Sequence, residues 1–178
     1  MFLRLALLIA MGSWAALAGA DATGAAAVPD LAHFVALDAT PVAITPTQSF
    51  LCAGPPPDLQ REMAHEPCIR VFADPVAAAA LAAGGPLPVG SVIAKAKYAG
   101  GADRTPTLYT VMIKRAAGYA PAVGDFAFAV VSGDGTRWVP HDTRSCVNCH
   151  EGFAERGYLA RDYRKVGGGA TAAATAAP

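Results

Sequence analysis

The sequence predicts an α+β fold, an antiparallel β-sheet with a few helices, and three observations lead there. Several segments rich in β-branched and aromatic residues alternate apolar and polar positions with period two; glycine and proline turns divide them; one alanine-rich stretch alone has clear helix signals at both ends.

In chain order, "DLAHFVAL" (30–37) reads as a short helix capped by Asp30, with Leu31, Phe34 and Val35 on one face. The proline-rich "DATPVAITPTQSFLCAGPPPDLQ" that follows reads as an extended loop, because three consecutive prolines, Pro55, Pro56 and Pro57, oppose regular structure. "CIRVFAD" is a strand candidate ended by Asp74-Pro75. "PVAAAALAAGG" is a helix, with Pro75 in its first turn and Gly84-Gly85 as its stop. Three more strand candidates follow, "SVIAKAKYA" (91–99), "TLYTVMIK" (107–114) and "DFAFAVV" (125–131). Short turns between successive strands imply antiparallel pairing. In the second of these, Leu108, Thr110, Met112 and Lys114 share one face and Tyr109, Val111 and Ile113 the other; in the third, Phe126, Phe128 and Val130 share a face.

"SCVNCHEG" follows the last strand and carries the chemistry. C-x-x-C serves redox dithiols, half of a zinc site, or covalent haem attachment, and only the last also requires a histidine directly after the second cysteine. Cys146 and Cys149 are therefore candidates to add to the haem vinyl groups as thioethers, and His150 to ligate the iron. Zinc would need further ligands from Cys52, Cys68, His33, His65 and His141, which form no second compact pair. A thioredoxin-like dithiol belongs after an early strand of a βαβ unit, a pattern absent here. The motif follows the sheet directly, so one haem c is expected to pack beside it.

The start of the chain fits that chemistry. "MFLRLALLIAMGSWAALAGA" has one positive charge at Arg4, an apolar run and small residues before position 21, the pattern of a cleaved secretory signal over 1–20. The apolar run is shorter than the roughly 20 residues a membrane span needs. Haem c is attached outside the bacterial cytoplasm, so the expected compartment is the periplasm, with no membrane span once the signal is removed. Export also permits disulfides. Cys52 and Cys68 are the only cysteines outside the motif, and their pairing would close a loop of about sixteen residues for on the order of 3 kcal/mol. The expected organisation is a loose segment over 21–29, one haem domain over 30–165 and a low-complexity tail over 166–178. Fourteen basic residues balance 14 acidic ones, so no electrostatic footprint for nucleic acid exists.

No methionine follows His150, and the four present are Met1, Met11, Met63 and Met112. The commonest helical electron carriers place the motif early and take a downstream methionine as second axial ligand, so an open distal position is expected here. Arg144, Arg156 and Arg161 lie close enough in sequence for at least one to pair with a haem propionate.

Over residues 66–165 the sequence resembles the cytochrome P-460 and cytochrome c-prime-beta group of small periplasmic monohaem proteins. The residues that carry the resemblance are "IRVFADPVAAAAL", "LPVGSVIAKAKY", "LYTVMIKRAAGYAPAVGDFAFAVV" and "SCVNCHEGFAERGYLARDY". The resemblance implies a sheet of about five antiparallel strands, a homodimer, Cys146 and Cys149 as attachment points and His150 as proximal ligand. Members of the P-460 type have a lysine joined to the porphyrin and oxidise hydroxylamine with the help of a distal carboxylate. Members of the c-prime-beta type lack that bond and bind nitric oxide in an aromatic-lined pocket. Lys95, Lys97 and Lys114 are the cross-link candidates, and Ala96 stands where many relatives have glutamate.

Three functions follow from these readings. A hydroxylamine-oxidising enzyme needs an open iron, a proton acceptor such as Asp103, Asp125 or Asp142, and an electron-accepting cytochrome. A gas-binding protein needs an open iron and an apolar wall, for which Phe72, Phe126 and Phe128 are candidates. An electron-transfer cytochrome needs a six-coordinate haem, with His33, His65, His141 or Met112 as the second ligand.

Overall fold

The computed structural model describes residues 27–50, 67–99 and 105–164. Its centre is a seven-stranded sheet: β1 (Val35–Ala36), β2 (Val42–Ala43), β3 (Cys68–Ala73), β4 (Val92–Tyr98), β5 (Leu108–Lys114), β6 (Phe126–Ser132) and β7 (Trp138–Val139). The order is β1-β3-β4-β5-β6-β7, with β2 also on β3, and every pairing is antiparallel. The fold class is as the sequence predicts, but the described residues form seven strands where about five were expected. Four are long; the other three have two residues each, too few for an alternation signal to exist.

The four long strands match the four candidate segments to within a residue or two. Around Asp30 the prediction is corrected: the helix is one 3-10 turn, Leu31–His33, with Asp30 accepting from the Ala32 N–H at 3.1 Å. Val35 leaves that turn for β1, where it pairs with Ala73. The proline-rich loop also contains structure, namely β2 and the four-residue α1 (Pro46–Ser49). Thr45 and Gln48 close a reciprocal capping box at its start. Cys68 opens β3 and is buried, whereas Cys52 lies outside the described residues, as do 1–26, His65, Met63, Asp103 and 165–178. The expected signal, the tail and the Cys52–Cys68 pairing therefore fall wholly or partly there.

Helix α2 (Pro75–Ala82) forms as the sequence predicts. Asp74 caps it by accepting the N–H groups of Val76 and Ala77, and its second oxygen accepts the Val92 N–H at 2.5 Å, which ties the helix start to β4. The strand period of two then sorts side chains to two faces. One carries the register row Ala73, Ile93, Met112 and Phe128 and packs against Ala77 and Leu81 of α2, Val123, Cys146, Leu159 and Tyr163. The other carries Phe72, Ala94, Val111 and Ala129 and packs with Leu31 and Phe34. Among the described residues no helix is long and apolar enough to cross a membrane.

A candidate haem cavity beside the sheet

"SCVNCHEG" folds as α3 (Arg144–Glu151), ended at Gly152. Its N-terminus is held by Asp142, whose carboxylate accepts the Arg144 N–H at 3.0 Å and pairs with the Arg144 guanidinium. That pairing holds Asp142 down at about 2. On a helix, positions i, i+3 and i+4 share a face, so Cys146, Cys149 and His150 are brought together by the motif's spacing alone. Cys146 is buried and Cys149 exposed.

His150 is oriented from outside its own helix. Its Nδ1 lies 2.6 Å from the carbonyl oxygen of Tyr158; a carbonyl only accepts, so Nδ1 carries the proton and Nε2 keeps the lone pair a metal would use. The ring packs against Phe128 of β6, centroids 5.0 Å apart, and edge-on to Phe153 at 6.0 Å. Tyr158 has a left-handed backbone, φ 65°, and its ring lies over Gly124, where a Cβ would stand 2.4 Å from ring atoms. Glycine at 124, itself at φ 62°, is thus what lets Tyr158 sit where its carbonyl reaches the imidazole.

His150 and Cys146 border a cavity of about 650 Å³, part of it open to solvent. The sheet contributes Val71, Ile93, Lys95, Thr110, Met112 and Phe128, and the segment after α3 contributes Leu159, Arg161 and Tyr163. The residues fit a c-type haem: two thiols and an imidazole with a free Nε2 on one helix face, an apolar wall for the macrocycle, and Arg161 as a cation for its carboxylates.

The predicted residues divide sharply. Of the three lysines, Lys95 lines the cavity. Lys97 shares its face but is 1 % exposed, and Lys114 donates to the Gly124 carbonyl at 2.7 Å with its ammonium over Phe126. Phe128 is in the wall, Phe126 packs in the same core, and Phe72 is corrected to the opposite face. Asp125 accepts the Gly118 and Ala120 N–H groups and so serves the turn before β6; neither it nor Asp142 lines the cavity. His33 pairs with Asp30 at the surface and His141 is exposed, while Met112 is in the cavity wall. Arg156 packs over Phe153 and donates to the Ala160 carbonyl, which leaves Arg161 as the cavity's arginine. Ala96 faces away from the cavity, with Arg70 directly across on β3. A glutamate there would meet Arg70 on the far side of the sheet, so Ala96 has no bearing on a proton acceptor at the haem. Among the described residues no three His, Cys, Asp or Glu side chains gather into a metal-binding group.

Sequence reasoning missed Asp38, Tyr163 and the Tyr158 carbonyl. Asp38 meets Arg161 across 123 positions of sequence, and no local pattern signals such a contact.

A family model described as Cytochrome P460 matches residues 58–161, which is more than half of the chain. No curated protein matches it.

Proposed function

The chain belongs to the cytochrome P460 family, which implies a haem cofactor, and from that premise we propose that it is of the c type, holding one haem covalently through Cys146 and Cys149, with His150 as proximal ligand. We propose further that the distal side takes a small nitrogenous ligand, with nitric oxide binding favoured over efficient hydroxylamine oxidation.

The observation that carries this reading is the make-up of the cavity. It is apolar apart from Lys95, Thr110, His150, Arg161 and Tyr163, and no carboxylate is among the described residues that line it. When bound, the haem supplies an iron that can take a ligand and change oxidation state. The chain's own residues supply the remainder. The Tyr158 carbonyl holds the His150 Nδ1 proton, Met112 and Phe128 give the wall apolar surface, and Lys95 and Thr110 offer hydrogen-bond donors. Hydroxylamine oxidation releases protons and needs a general base; a cavity of donors without a carboxylate suits binding better than turnover.

Met112 in the same wall favours a second reading, an electron-transfer cytochrome whose haem is ligated by protein on both faces. Export to the periplasm, homodimerisation and exchange with an electron-acceptor cytochrome belong to the proposal as well. Export is supported by the signal-like first twenty residues.

Absorption spectroscopy of the purified protein tests the reading, after extraction in acidic organic solvent has established whether the haem stays with the polypeptide. The expected result is retained haem, a high-spin ferrous spectrum and a marked change with nitric oxide. Haem lost to the solvent overturns the covalent reading. A low-spin spectrum in both oxidation states, unmoved by nitric oxide or cyanide, establishes the electron-transfer reading instead. Haem on a peptide lacking both cysteines, together with hydroxylamine-dependent reduction of an acceptor, establishes the enzyme, with Lys95 as the cross-linked residue.

A further inference from the structure

Asp38 is a buried carboxylate in the bend after β1, its side chain 7 % exposed. Its Oδ2 accepts the Val71 N–H at 2.9 Å and lies 3.5 Å from the Tyr163 hydroxyl, and its Oδ1 accepts Nη1 of Arg161 at 2.9 Å. The neighbouring Leu37 N–H donates to the Val71 carbonyl at 2.8 Å, so backbone bonds on both sides of β3 residue Val71 fix where the carboxylate stands. Burial and the charge of Asp38 push the Tyr163 hydroxyl well above the ordinary tyrosine range, and the tyrosine stays a donor.

Arg161 and Tyr163 line the haem cavity, and Asp38 does not. The carboxylate is therefore one step behind the wall. An ion pair with both partners in water holds little, but this one has a partner fixed by the sheet and one at the cavity, 48 % exposed. Asp38 uses Nη1 of the five N–H donors of a guanidinium fork. A long arginine side chain at the surface otherwise samples many rotamers. Both Arg161, 123 positions away, and Tyr163, 125 positions away, meet Asp38, so this one carboxylate joins the segment before β2 to the segment after α3.

We propose that Asp38 is a positioning residue: it holds Arg161 at the cavity so that the remaining guanidinium donors receive a haem propionate, and the cation so held raises the reduction potential of the iron. The inference rests on the haem reading above and assigns a role to a residue that reading leaves unused.

The midpoint potential of the holoprotein at one pH is the readout, measured in wild type, Arg161→Gln, Arg161→Lys, Asp38→Asn and the Asp38→Asn/Arg161→Gln pair. Arg161→Gln shifts the potential downward, because a nearby cation favours the less positive ferrous state. Arg161→Lys recovers part of the shift, having the charge without the fork. Asp38→Asn separates positioning from charge, since the two act with opposite sign. Loss of a nearby anion by itself raises the potential; release of Arg161 lowers it. The expected result is a downward shift, with no further fall when the Asp38 change is added to Arg161→Gln. A raised or unchanged potential in Asp38→Asn, or shifts that simply add, overturns the role of Asp38. If Asp38→Asn fails to load haem, the exposed Arg161 decides alone, and an unchanged potential in Arg161→Gln overturns the inference. A wild-type protein without haem overturns the functional reading instead, before any variant is made.

Discussion

The two faces of the central sheet differ less in how apolar their strands are than in whether the space above them is filled. On the face with Phe72, Tyr98, Tyr109 and Val131, all four side chains are at most 2 % exposed, and two tyrosines and a half-buried Arg70 are packed into the same layer. On the face with Ile93, Met112 and Phe128 the packing stops short and leaves the cavity bordered by α3 and the segment after it. Neighbouring residues of one strand take opposite duties: Lys95 lines the cavity, while Ala96, 0 % exposed, is part of the filled layer. A difference of one position in β4 therefore separates a residue that borders the cavity from one that is packed into the filled layer.

The largest test of this contrast compares two phenylalanines. Phe72→Ala opens a hole in the filled face and should lower stability by about 3–5 kcal/mol, with the haem spectrum of the folded protein unchanged. Phe128→Ala enlarges a space that already exists and should cost less, yet it removes the ring against which His150 packs and should alter the spectrum. Urea midpoints and visible spectra of both variants check this; a spectral change in Phe72→Ala alone would break the division between the faces.

Alkaline pH probes the filled face next. Burial, with the nearby Tyr98 adding to it, pushes Tyr109 up to about 12, against about 10 in an unfolded chain. The unfolded chain loses this proton first, so the stabilisation is complete below about pH 10 and declines as pH rises to about 12. The decline amounts to on the order of 2–3 kcal/mol. Unfolding midpoints across that range should fall in wild type and fall less steeply in Tyr109→Phe.

The smallest effect sharpens the contrast most. Ala96→Glu adds volume to the filled layer opposite Arg70, and should cost about 1–3 kcal/mol, offset in part by the new ion pair. It should leave nitric oxide affinity and any hydroxylamine oxidation where they were. A gain in oxidation rate would mean that position 96 communicates with the cavity after all.

Much of this protein was legible before any coordinates. The four long strands and α2 announce themselves through alternation, Pro75 and Gly84-Gly85, and "SCVNCHEG" states its chemistry because helix geometry turns its spacing into a shared face. Signals of that kind lie within a few residues of one another. The two-residue strands carry no period to detect, and Asp30 caps one 3-10 turn as readily as it would cap a longer helix. Which of Lys95, Lys97 and Lys114 reaches the haem side, which phenylalanine forms the wall, that Gly124 makes room for the Tyr158 ring, and that Asp38 meets Arg161 were decided only by the tertiary structure. Period two assigns Lys95, Lys97 and Lys114 to one face of the sheet, but it does not say where on that face α3 and the segment after it leave a gap. The local contacts are written in neighbouring residues; the gap is set by how segments as far apart as Val71 and Tyr163 pack, and no short stretch of sequence contains both sides of it.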